Sequence, residues 1–212
     1  MKKQAMSSTQ IELIKPDAAQ IENIAQLLAL AFDNGSGLSQ ICKAKGKELR
    51  RRLHLLFRSR IAMQVAANQP MLGVINDERV IGVAVFQEPG SNFTIWEQIP
   101  CLLQVIFGIS PLVAWRIWRN LRILKRYHPS EPHYYLTPFG VHPDFQGKGY
   151  ARTLLEALHA RSETHPLSTG VYLDTGNPRI VSFYERFGYH TTAQLKINNM
   201  ETFMMFRPNQ SK

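Results

Sequence analysis

Val141-His142-Pro143-Asp144-Phe145-Gln146-Gly147-Lys148-Gly149-Tyr150-Ala151-Arg152 sets two glycines between an apolar run that reads as a strand, Tyr134 to Val141, and an amphipathic run that reads as a helix, Lys148 to Ser162. The first amides of a helix have no intrahelical acceptor and carry a partial positive charge, and glycine lets an anion reach them with no Cβ in the way. The stretch therefore predicts a turn that binds phosphate. It is not a dinucleotide fingerprint, whose glycines follow G-x-G-x-x-G, and no Lys-Ser or Lys-Thr pair closes it as a P-loop. Taken by itself it also fits an ordinary tight strand-to-helix turn.

Working outward, Ile11 to Ile14 reads as a first strand. Asp17 and Gln20 have the form of a capping box, followed at helical spacing by Ile21, Ile24, Ala25, Leu28, Ala31 and Phe32, with Asn34-Gly35 as the stop. A second helix is expected over Lys47 to Ala67. Two strands follow, Met71 to Ile75 and Val80 to Phe86, joined as a hairpin by Asn76-Asp77-Glu78, a turn that lacks glycine. Helical period from Asn92 to Tyr127 then interrupts the strands. Pro138 cannot donate a ladder hydrogen bond, so within its strand it predicts a bulge or a parting of neighbours. Downstream come a strand at Val171 to Leu173, a helix at Pro178 to Phe187 and closing strands at Tyr189 to Leu195 and Thr202 to Phe206. This order is mixed α/β.

The last helix carries a second motif. Asn177-Pro178-Arg179-Ile180-Val181-Ser182-Phe183-Tyr184-Glu185-Arg186-Phe187-Gly188-Tyr189 has Asn as N-cap, Pro at N1 and Gly at C′. In this order, the two motifs resemble the GNAT superfamily of acyl-CoA N-acyltransferases. Gln146, Gly149 and Ala151 match its Q/R-x-x-G-x-G/A pyrophosphate loop, and Asn177, Phe183, Tyr184, Gly188 and Tyr189 match its N-x-x-x-x-x-F-Y-x-x-x-G-F/Y signature. The likeness is close from Tyr134 to Phe206, and locally it looks like the puromycin N-acetyltransferase group; from Ile11 to Phe86 only the order of elements agrees. It implies a mixed, mainly antiparallel central sheet, splayed at an acetyl-CoA cleft and flanked by helices, with residues 92–127 as a helical insertion.

The resemblance also implies roles. Backbone amides of Gln146, Gly147, Lys148, Gly149, Tyr150, Ala151 and Arg152 would hold the pyrophosphate of acetyl-CoA, with charge added by Lys148 or Arg152. Phe139, Gly140 and Val141 would pair with the pantetheine arm, and the Val141 amide would donate to the thioester oxygen. Asn177 would cap its helix, touch the arm, or both. Tyr184 matches the family's general acid, although a phenol is a weaker acid than a thiol, so a hydrogen bond to sulfur is the more economical role. No Asp or Glu lies on the strand from Tyr134 to Val141, so a base cannot be transferred there. Glu88, Glu97, Asp174, His133 and His142 are candidates, each of which reads more readily as a surface or loop residue. The expected reaction is direct acetyl transfer to a small-molecule amine; an acyl-CoA sensor and a protein or peptide acetyltransferase are the alternatives.

Composition bounds the rest. At 212 residues and 44% hydrophobic the chain can bury a full core, and one domain is expected over residues 10–208, after a short tail at 1–9. The net charge is +9, with eight basic residues from Lys43 to Arg60 and five from Arg116 to Arg126. Their interleaving with Leu49, Leu53, Leu56, Phe57 and Ile61 favours solvated faces of amphipathic helices over a nucleic-acid surface. Cys42 and Cys101 are too few for a disulfide framework or a zinc site, so no metal is expected and a reducing cytoplasm fits. The apolar run from Pro100 to Trp115 is broken by Gln104, Ser110 and Pro111 and falls short of the roughly 20 residues of a membrane span. It is expected to form a buried helical hairpin or a lid that walls the acceptor side, ahead of a contact with a membrane surface, favouring acceptors with apolar or aromatic parts. A homodimer is left open.

Overall fold

The computed structural model describes residues 10–33, 37–197 and 200–210, and in it the strand-like runs assemble into one seven-stranded sheet. The strands are β1 (Gln10–Ile14), β2 (Met71–Asn76), β3 (Arg79–Gln87), β4 (Tyr134–Val141), β5 (Gly170–Thr175), β6 (His190–Ile197) and β7 (Met200–Pro208), in the order β1-β2-β3-β4-β5-β7-β6. Every neighbouring pair is antiparallel except β4 with β5. The glycine-free hairpin between β2 and β3 forms because Asp77 and Glu78 both take positive φ (48° and 62°), the geometry of a two-residue primed turn. The expected tail and the Asn34-Gly35 stop lie outside the described residues.

Alternation along the strands feeds two helical layers. Val83 and Val85 of β3 face α1 (Ala18–Ala31) and α3 (Gly46–Ala66), where Ile24, Leu28, Leu53 and Ile61 are fully buried. Ala84 and Phe86 face the other way, onto Leu154, Leu155 and Leu158 of α6 (Tyr150–Thr164). The capping box of α1 is present: the Asp17 side chain accepts from the Gln20 amide at 2.8 Å, and Gln20 accepts from the Asp17 amide at 3.1 Å. A short helix, α2 (Leu38–Cys42), has no counterpart in the sequence reading, since five residues are too few to establish a period.

Two expectations need correction. The helix at Pro178 to Phe187 is a 3₁₀ turn, Pro178–Ile180, followed by a shorter α7 (Val181–Glu185), although Gly188 does take the positive φ of a C′ residue (84°). The insertion does form a helical pair, α4 (Ile95–Gly108) and α5 (Pro111–Leu124), but it is only partly buried, through Val105 of α4 and Val113, Ala114, Asn120 and Leu124 of α5. Within α4 only Val105 is buried, while Trp96, Leu102 and Phe107 face outward. Helical period reveals that a face is apolar and not what covers it.

The register of β4 fixes the site. Ala84 pairs with Phe139 and Phe86 with Leu136, so Thr137 and Pro138 together oppose Val85, and β4 carries one extra residue as a bulge. Pairing of β4 with β5 covers only Tyr134 to Leu136 against Val171 to Leu173, and beyond that point the strands part. The parting that Pro138 predicts is therefore present, one residue from the proline.

One buried and one half-buried histidine give the fold a pH dependence. His159 is buried against the Tyr189 hydroxyl (3.0 Å), and burial, with the Arg207 charge adding, pulls its pKa down to about 3. Burial chiefly, then His133 and Lys125, pulls His128 down to about 4. Unfolded, both would titrate near 6.5, so between about 6.5 and 3 the unfolded chain binds more protons and stability is lost as pH falls. Thermal melts followed by circular dichroism should show Tm dropping from pH 7.5 to pH 5, and His159→Gln should make that drop smaller.

Candidate active site

A strand that loses its neighbour leaves backbone groups to be satisfied, and their direction follows from the ladder. The His142 amide donates to the Ile81 carbonyl at 2.8 Å, which makes that pair and the Gly140–Val83 pair the hydrogen-bonded ones. Alternation then turns the N–H and C=O groups of Phe139 and Val141 away from β3, toward the gap left by β5. Gly140 is different, because its backbone groups belong to Val83. The expectation that it would offer them to a pantetheine arm is corrected. Its use is steric, since a Cβ there would lie 3.1 Å from Leu28 and 3.2 Å from Ala31 of α1.

The bulge is stabilised from below by α3. Arg60 donates to the Thr137 carbonyl at 3.4 Å and to Gln64 at 2.7 Å, while Gln64 donates to the Phe86 carbonyl at 2.7 Å. The guanidinium lies 4.8 Å from the Phe93 ring centroid, and burial lowers its pKa to about 10, which leaves it protonated at neutral pH. A fixed positive charge therefore sits beside the gap.

At one end of the gap, the loop between β4 and α6 is exposed and built by glycines at φ 76° (Gly147) and 88° (Gly149). A Cβ at either would meet nothing within 4 Å, so the approach is open. Among the described residues no acceptor pairs with the amides of Gly147, Lys148, Gly149, Tyr150, Ala151 and Arg152, whereas the Thr153 amide is bonded to the Gly149 carbonyl. Gln146 departs from expectation. Its amide donates to Pro143 (3.2 Å) and its side chain to the Val141 carbonyl (3.0 Å), so it holds the loop against β4 instead of presenting a free donor. Lys148 and Arg152 lie 4.9 Å and 5.8 Å from the ring centroids of Phe145 and Phe187, which keeps their charges beside the loop.

Tyr184 of α7 stands at the other end, its ring 6.5 Å from that of Phe139. Among the described residues none hydrogen-bonds its hydroxyl, and burial first, then the Asp174 charge, raises its pKa above that of a free phenol. The Asn177 side chain accepts from the Arg179 amide at 3.1 Å, so its capping role is present.

The five candidate bases separate clearly. Glu88 is bound to Arg161 at 2.6 Å, Glu97 caps α4 through the Thr94 amide at 2.6 Å, His133 is tied to the Glu131 carbonyl at 2.8 Å, and His142 accepts from the Asp144 amide at 3.3 Å. Asp174 alone stands where β5 leaves β4, half-buried, with the Tyr135 hydroxyl donating to its Oδ1 at 2.6 Å. Burial raises its pKa and the Tyr135 hydrogen bond opposes that rise. A shallow groove of about 450 Å³ between Tyr127, Thr169 and Phe206 lies at the opposite end of β5 and contains none of these groups. Among the described residues no cluster of three His, Cys, Asp or Glu could hold a metal.

A strand-loop-helix of this kind beside a splayed sheet recurs in known proteins. The family model described as acetyltransferase (GNAT) family matches residues 41–189. The chain belongs to this family. Over 56 residues it is 46% identical to mycothiol acetyltransferase of Propionibacterium freudenreichii subsp. shermanii, a match that takes in 26% of this chain and spans 18% of the length of that relative. Among solved structures it is similar to histone acetyltransferase HPA2 and related acetyltransferase from Corynebacterium glutamicum, at 22% identity and a TM-score of 0.69 over 98% of this chain and 99% of that one. Arylalkylamine N-acetyltransferase 2 from Aedes aegypti aligns with a TM-score of 0.63 at 13% identity, covering 96% of this chain and all of its own, 100%. At these identities the likeness is one of fold.

The geometry brings in residues that no sequence motif marks, Tyr135, Arg60 and Gln64. Tyr135 and Asp174 are 39 residues apart and Arg60 and Thr137 are 77 apart, and no local pattern links them. Tyr135 is testable directly. Tyr135→Phe removes the donor that favours ionised Asp174, so the carboxyl pKa should rise further, as read by ¹³C NMR titration of Asp174; an unchanged or lower value would contradict the hydrogen bond.

Proposed function

We propose that residues 10–208 form one catalytic domain that transfers an acetyl group from acetyl-CoA to the amine of a small molecule, by direct attack in a ternary complex. The observation that carries this reading is the Val141 amide, turned by its register into the gap between unpaired phosphate-loop amides and Tyr184. Acetyl-CoA, when bound, supplies an acyl carbon activated as a thioester. The residues fit it: amides from Gly147 to Arg152 hold its pyrophosphate, and the outward N–H and C=O of Phe139 pair with its amide-bearing arm, the Val141 carbonyl being taken by Gln146. The Val141 N–H is placed to stabilise the oxygen on which negative charge develops.

Asp174 takes the proton that an ammonium acceptor must lose. Its Oδ2 has no partner among the described residues, and Tyr135 holds Oδ1, so one oxygen is oriented and the other is available. Its raised pKa brings it closer to neutrality, where a carboxylate is a better base. Tyr184 donates a hydrogen bond toward the departing sulfur, and the proton that ends on the thiol comes from the newly acylated nitrogen; with its own pKa raised, Tyr184 is suited to stabilising the leaving group without surrendering its proton. Cys101 and Phe93, from the segment that includes α4, border Arg60 on the acceptor side, which favours amines with apolar or aromatic parts.

Thermal shift with acetyl-CoA, followed by thiol release over antibiotics, polyamines, amino acids and peptides, tests the proposal. Stabilisation and release with a small amine are expected. Binding with no release across the panel would indicate an acyl-CoA sensor, and release with peptides alone would overturn the acceptor class. With an active acceptor, Tyr184→Phe should lower kcat by about 10²- to 10⁴-fold; unchanged turnover would remove Tyr184 from the mechanism.

A further inference from the structure

The surface of α4 and α5 is not absorbed by this mechanism. α4 turns Ile95, Trp96, Ile99, Leu102, Leu103 and Phe107 outward, at positions that fall on one helical stripe. Along α5, Leu112, Trp115, Trp118 and Leu121 do the same. Trp96 is 78% exposed, Phe107 83%, Trp115 50% and Trp118 52%. Trp96, Trp115 and Trp118 are the three tryptophans of the chain. Single exposed apolar residues are common, but a continuous set of large ones marks a contact surface.

Charge selects the occupant. From residue 92 to 127 the chain has five basic residues, Arg116, Arg119, Arg122, Lys125 and Arg126, and one carboxylate, Glu97, which is engaged in capping α4. Arg122 lies 4.9 Å from the Trp118 ring centroid, and a shallow groove of about 210 Å³ is lined by Trp118, Arg119, Arg122, Ile123 and Arg126. Tryptophan beside arginine on an amphipathic helix suits the boundary between lipid headgroups and acyl chains. A second copy of the chain would instead bring a patch of the same positive sign against this one, because a two-fold contact repeats one patch on both sides. Neither helix crosses a bilayer: each has 14 residues, about 21 Å, against a hydrocarbon core of about 30 Å.

We propose that the α4–α5 hairpin docks on an anionic lipid surface, lying in the headgroup region with its tryptophans buried and its arginines on lipid phosphates. Intrinsic fluorescence tests this cleanly, since every tryptophan is in the hairpin. With the full chain at low salt, vesicles containing phosphatidylglycerol should shift the emission to shorter wavelength and carry the protein into the pellet, and pure phosphatidylcholine vesicles should do so much less. Arg122→Gln/Lys125→Gln/Arg126→Gln should weaken partition about 10²-fold, at about 1 kcal/mol per cation near the surface. Trp96→Ser/Phe107→Ser should abolish the pelleting while the far-UV spectrum is kept. No shift and no pelleting with phosphatidylglycerol vesicles would overturn the proposal. So would a blue shift that grows with protein concentration and a doubled mass in light scattering without vesicles, which would assign the face to a second copy.

Discussion

One extra residue in β4 is the constraint on which the rest depends. A parallel pair of strands satisfies its backbone groups continuously, and β4 and β5 do so only as far as Leu136 and Leu173. Past the bulge at Thr137 and Pro138, β4 stays registered with β3 while β5 stays registered with β7. The sheet keeps both outer halves intact and exposes inner backbone groups along a single line. Unsatisfied buried amides are costly, so such a line is stable only where solvent or an amide-bearing ligand can reach it.

The elements around that line have complementary tasks. Arg60 and Gln64, rigid on α3, satisfy the carbonyls of Thr137 and Phe86 and allow the bulge to persist without a ladder partner. Gln146 fastens the loop between β4 and α6 to Val141, so the free amides of the loop and the free amide of the strand are held in fixed relation. At the far end, Tyr184 meets Phe139 across the gap, and Asp174 is oriented by Tyr135 from the opposite strand. The phosphate binding, arm binding and proton handling proposed for these residues would thus all rest on one local departure from regular pairing.

Local chemistry made much of this readable in the sequence. The capping box at Asp17, the bulge at Pro138, the positive-φ glycines at 147 and 149 and the Asn-Pro start before α7 each depend on residues within a few positions of one another. What escaped depends on distant pairing. The direction of the Gly140 backbone is set by the parity of its register with β3, and the separation of Asp174 from Glu88 depends on Arg161, which lies 73 residues from Glu88. The exposure of α4 escaped for a related reason, since an amphipathic period states that a face is apolar and leaves open whether protein, lipid or water meets it.

The central claim, that register turns the Val141 amide and the loop amides toward one ligand, is tested most directly by ¹⁵N–¹H NMR of the labelled protein titrated with acetyl-CoA. The largest amide shifts should fall on Val141 and on Gly147 to Arg152, with Gly140 changing little because its N–H stays on Val83. Shifts concentrated at Thr169, Thr192 and Phe206, or at Gly140 with Val141 unmoved, would contradict the account.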